Sequence, residues 1–88
     1  MSYYLVQPCK SSAAYEALPQ NEVKLDLDAL ESVLEEKGFK IEANAEVILV
    51  VTRDGLEISI FGKGKLLIKV AEQEEAEKIA AEMEDILF

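Results

Sequence analysis

Few side chains in this 88-residue sequence could do chemistry, and their types narrow the choice. Cys9 is the sole thiol and there is no histidine. That removes His-based triads, His and multi-Cys metal sites, disulfide frameworks and paired-thiol redox centres. Ser11-Ser12 offers hydroxyls in a polar stretch with no imidazole to activate them. Gly62-Lys63-Gly64-Lys65 has the residue types of a phosphate-binding loop, yet it lacks the Walker spacing and leads into a strand pattern. It reads as a tight turn. Asp26 with Asp28 reads as a helix N-cap plus a first-turn acid. Glu72, Glu74, Glu75 and Glu77 wind around a helical turn and do not converge as the ligands of a divalent cation must. The expectation is a protein that is not an enzyme and carries no metal and no cofactor.

The elements that position these residues follow from periodicity. At 9.8 kDa the chain is one domain, 1–88, with a single thin core. Ser2 to Gln7 is β-prone and stops at Pro8. Residues 8–22 read as an irregular insert, with a helical turn near Ala13 to Leu18 and a break at Pro19. Asp26 caps a helix whose apolar stripe is Leu27, Leu30, Val33 and Leu34, and Gly38 stops it. Four strand patterns follow: Phe39 to Ala43, Glu46 to Arg53, Leu56 to Phe61 and Lys65 to Val70. Asp54-Gly55 and Gly62-Lys63-Gly64 are the turns between the last three. Gln73 to Leu87 closes the chain as a second amphipathic helix, with Ala76, Ile79, Ala80, Met83, Ile86 and Leu87 on one side. The fold class is α+β, in the order β-α-β-β-β-β-α.

Net charge is −9, and the acid concentrates on the two helical stretches. Residues 37–70, the strand region, hold six basic side chains against four acids. An acidic surface of this kind repels phosphate backbones, so nucleic acid is a disfavoured partner. The longest apolar run, Val47 to Val51, is far too short to span a bilayer. The N-terminal residues carry neither a basic leader nor a long apolar stretch, so neither an export signal nor a membrane partner is expected. The lone Cys9 favours the cytoplasm.

Several short stretches resemble one repeat of the TATA-box-binding protein family: Lys24-Leu25-Asp26-Leu27 opening the first helix, Ile60-Phe61-Gly62-Lys63-Gly64-Lys65 at the last hairpin, and Glu74-Glu75 ahead of Ile79-Ala80-Ala81 in the last helix. The likeness covers roughly residues 23–88 in order and spacing. It implies a curved antiparallel sheet with both helices on its back, and, in the family, kinking of DNA through the minor groove. Phe61 then falls where the family inserts a phenylalanine between base steps, and Lys65 matches a family lysine. The departures bear on function. The family protein joins two repeats where this chain has one, and residues 8–22 are extra. Val50 and Thr52 stand where the family has arginines, and Glu57 adds an anion to the same surface.

Alternation along the strands gives two faces. Val47, Leu49, Val51, Leu56, Ile58, Ile60, Leu66, Ile68 and Val70 make the core face. Ile48, Val50, Thr52, Glu57, Ser59, Phe61, Lys65, Leu67 and Lys69 make the other, which is more apolar than a solvated sheet surface should be. Of these, Ile48, Val50, Thr52, Phe61, Lys65, Leu67 and Lys69 are the candidate binding residues. Three coverings compete: residues 8–22 folded over the face, a second copy making a homodimer through the face or the sheet edge, or another protein. The expected function is a non-enzymatic interaction module that self-associates through its sheet. The alternative is a nucleic-acid-associated accessory protein using Phe61, Lys63, Lys65 and Lys69.

Overall fold

The computed structural model describes residues 3–9 and 13–88, with Tyr4 described by its backbone alone. Helix α1 (Leu27–Glu36) begins where the sequence supplies a cap. The Asp26 carboxylate accepts the Ala29 amide at 3.2 Å, filling one of the donors a helix start leaves unpaired. The helix ends at Gly38, whose φ of +90° suits glycine. Strands β1 (Tyr3–Pro8), β2 (Tyr15–Pro19), β3 (Lys40–Asn44), β4 (Ile48–Arg53), β5 (Leu56–Phe61) and β6 (Leu66–Ile68) precede or follow it, and α2 (Gln73–Leu87) closes the chain. All strand pairs are antiparallel, in the order β1-β2-β6-β5-β4-β3. Asp54 (φ +52°) and Gly55 (φ +83°) are both left-handed, as a two-residue hairpin turn between β4 and β5 requires.

Both helices cover one face of this sheet. Leu34, Leu49, Val51, Ile58, Ile60, Leu66, Ile68 and Met83 are completely buried between the layers. At roughly 1.5–3 kcal/mol for each such side chain, their burial dominates the favourable side of folding. Leu56 and Val70 join this core from its margin. Val47 does not. It is 71% exposed, because Glu46 takes a left-handed φ of +63° and β4 starts only at Ile48. Lys65, Lys69 and Val70 flank β6, which is three residues long.

The largest correction concerns residues 8–22. No helical turn forms at Ala13 to Leu18 and no described segment covers the sheet's other face; Tyr15–Pro19 is a strand inside the sheet, paired to β1 on one side and β6 on the other. The Ala-Ala-Tyr-Glu-Ala-Leu stretch favours helix locally, but tertiary pairing outweighs a preference of a few tenths of a kcal/mol per residue. Ala17 is fully buried under α2, which lies over β1 and β2. Ser2, Lys10, Ser11 and Ser12 lie outside the described residues.

Two tight fits hold the layers. Arg53 stacks its guanidinium 4.2 Å above the Phe39 ring and donates to Glu82 of α2 at 2.6 Å. Glu82 is thereby held below the usual carboxylate range. Gly64, at φ +98°, sits so close to the segment before α1 that a Cβ there would fall 2.3 Å from Val23 Cγ2 and 3.4 Å from Pro19 Cγ. Tyr3 meets Phe88 edge-on at 5.5 Å, and its buried hydroxyl has no hydrogen-bond partner among the described residues.

Candidate functional site

The face away from the helices is built from alternate residues of the strands that form the core. Register lays out one row across the whole sheet: Gln7, Glu16, Leu67, Ser59, Val50 and Ala43, each opposite the next. Beside it run Leu5 opposite Leu18 and Phe61 opposite Ile48, with the Lys65 carbonyl taking the Phe61 amide. On the other side Glu57 faces Thr52, and Thr52 faces Lys40. The candidate residues Ile48, Val50, Thr52, Phe61, Lys65 and Leu67 are therefore together and half-buried, and Lys69 stands exposed at the margin.

Leu67 and Val50 flank Ser59, which is only 7% exposed, and Phe61 and Ile48 pair one step along. Leu18 and the 36%-exposed Leu5 pair two and three strands away, beyond β6.

Its charges are tied to one another. Lys65 Nζ sits 3.0 Å from Glu16, which also accepts from Gln7 Nε2 at 2.8 Å. Those two hydrogen bonds, Gln7's first, hold the Glu16 carboxyl below its ordinary range. Lys69 meets Glu57 at 2.7 Å. Glu42 accepts from Thr52 Oγ1 at 2.8 Å and stands 4.0 Å from Lys40. The Lys65 ammonium also lies 5.4 Å from the centre of the Phe61 ring. Three cations face three carboxylates, so this side is neutral while the whole chain carries −9.

Leu5, Gln7, Glu16 and Leu18 belong to this face and are not among the residues the sequence singles out. The signal available was the two-residue alternation of Tyr15-Glu16-Ala17-Leu18, which competes with helical propensity over the same stretch. Concave regions lie elsewhere among the described residues. A groove of about 320 Å³ runs between β1 and α2, lined by Leu5, Val6, Ala80, Ala81, Gln73, Glu77, Glu84 and Tyr3. A hollow of about 550 Å³ lies by Lys24–Asp28 and Glu46. Among the described residues, no group of three or more acidic or thiol side chains is arranged to hold a metal ion. No helix among them is long and apolar enough to cross a membrane. No family model matches the chain, and neither a curated protein nor a solved structure matches it.

Proposed function

We propose that this protein is a non-enzymatic interaction module whose working surface is the helix-free face of the sheet. The observation that carries the reading is an apolar cluster, Ile48, Val50, Phe61 and Leu67, with Leu18 beyond β6, on a face that no described segment of the chain covers. Contiguous apolar surface of this kind marks sites where another surface docks. Within residues 8–22, which could have been an internal cover, Tyr15–Pro19 extends the face through β2 instead.

The resemblance to a single TATA-box-binding-protein repeat is retained as part of the proposal. With β2 set aside as an inserted strand, the elements run β-α-β-β-β-β-α with both helices on one side. The accessory nucleic-acid reading has less behind it. Lys65 and Lys69 are each engaged by a carboxylate, and a neutral face releases few counterions from a phosphate backbone.

A site-specific photo-crosslinker tests the reading. Benzoylphenylalanine at Leu67 is expected to give discrete polypeptide adducts that vanish when Ser59→Arg is added. The same group at Glu75, on α2, gives none. Equal labelling from both positions, or none from either, overturns the proposal.

A further inference from the structure

We infer that the occupant of this face is a second copy of the chain, packed sheet against sheet; the inference rests on the reading of the face as a docking surface.

Charge is the first argument. Each copy carries −9, and the open face contributes three cations and three carboxylates, so the whole excess lies on the helix side and in the loops. Two copies approaching helix side to helix side, or helix side to sheet, bring net negative surface with them. Face to face, the nearest charges cancel within each partner before contact. A strongly basic or acidic partner gains nothing from such a face, whereas an identical face is as neutral and as apolar as its mate.

Size is the second. The body measures 29 × 28 × 22 Å, which caps the flat area of its broadest side at roughly 800 Å². A stable interface buries about 800 Å² on each partner. The face is large enough only if it is used almost whole, which a surface of the same width and twist can do.

The third argument is that the sheet edges are guarded at several positions. The Cys9 amide bonds Ala14, and the two-residue alternation from there turns Val6 and Pro8 toward the free side of β1. Pro8 has no N–H to offer. The Val6 carbonyl accepts from Gln73 Nε2 at 3.3 Å, and the Tyr3 amide donates to Glu84 at 3.1 Å. At the other edge β3 is bulged between Ile41 and Ala43 and carries Lys40 and Glu42. Bulges, proline and charges are the devices that keep strands from adding. Pairing through β1 is thereby disfavoured, and the face remains. With a two-fold axis near Ser59, Val50 and Leu67 of each copy face the same residues of its mate.

Sedimentation equilibrium of the purified full chain over roughly 5–500 µM tests this. A species of twice 9.8 kDa is expected, with concentration-dependent amide shifts at Val50, Ser59 and Leu67. Ser59→Arg and Leu67→Glu should each weaken association at least ~tenfold, and melting at concentrations where the wild type is monomeric verifies that both variants fold. Raising NaCl from about 0.05 to 0.5 M should tighten the dimer, since salt screens the like charge of the two bodies. A single-chain mass throughout overturns the second copy, while the crosslink from Leu67 to a different polypeptide would still uphold the docking surface. A dimer that ignores both substitutions overturns both. Association that loosens with salt overturns the face-to-face arrangement.

Discussion

The same strands supply two faces of opposite character. Toward the helices, Leu49, Val51, Ile58, Ile60, Leu66 and Ile68 are sealed completely, and their neighbours one residue along are not. Ile48, Val50, Phe61 and Leu67 are also apolar yet stay half-buried, held among ion pairs that close on themselves. Apolar side chains on the sealed face stabilise the fold. On the open face, flanked by matched charges, they are free to stabilise a contact.

The sharpest way to break this contrast is to truncate one residue on each side. Leu34→Ala should cost about 3–5 kcal/mol and Leu67→Ala less than about 1 kcal/mol, read by urea unfolding of the monomer. Comparable losses would mean the open face is core. Gly64→Ala comes next, at about 2–4 kcal/mol, since a left-handed φ and a collision with Val23 act together. Trimming the neighbour with Val23→Ala should return part of that loss in the double variant and leave the left-handed strain. Arg53→Met, which keeps a stem over Phe39 but loses Glu82, should cost about 1 kcal/mol at pH 7.

Titration sharpens the comparison further. The Glu82 carboxyl is lowered mainly by its Arg53 hydrogen bond, so its contribution is present above the unfolded value near 4.5 and is lost as pH falls through the lower folded one. The gap in melting temperature between wild type and Glu82→Gln should therefore close in acid. Tyr3 behaves in the opposite sense. Burial, helped by Glu84, raises its hydroxyl pKa, so stability is untouched by this group below pH 10 and falls as the unfolded chain ionises above that. Tyr3→Phe should remove this alkaline loss. At neutral pH it should be neutral or gain about 1 kcal/mol, because a buried hydroxyl without a partner disappears.

Local chemistry made most of the fold legible. Asp26 and Gly38 bound α1, Asp54-Gly55 turns the hairpin, and the 3.6-residue stripe of α2 runs as its spacing demands. What local chemistry could not reveal was β2. Ala13 to Leu18 favours helix on its own, and only the exposed flank of a three-residue β6 makes a strand the better solution. Val47 misleads for a related reason: its β-branched neighbours extend the strand pattern, while the backbone at Glu46 has already turned. Of the open face, the β4, β5 and β6 part could be assigned by alternation. Glu16 and Leu18 could not, since their strand itself was hidden, and the matching of Lys65 to Glu16 depends on that strand.

The capped rims of the sheet set a ceiling on growth. A molecule that joined others strand by strand could lengthen without limit from both ends, as fibrils do. Here Gln73 and Glu84 occupy one rim and a bulge disrupts the other. If two bodies pair face to face as proposed, the greasy side is spent on that contact and crowding leaves no ribbon to extend.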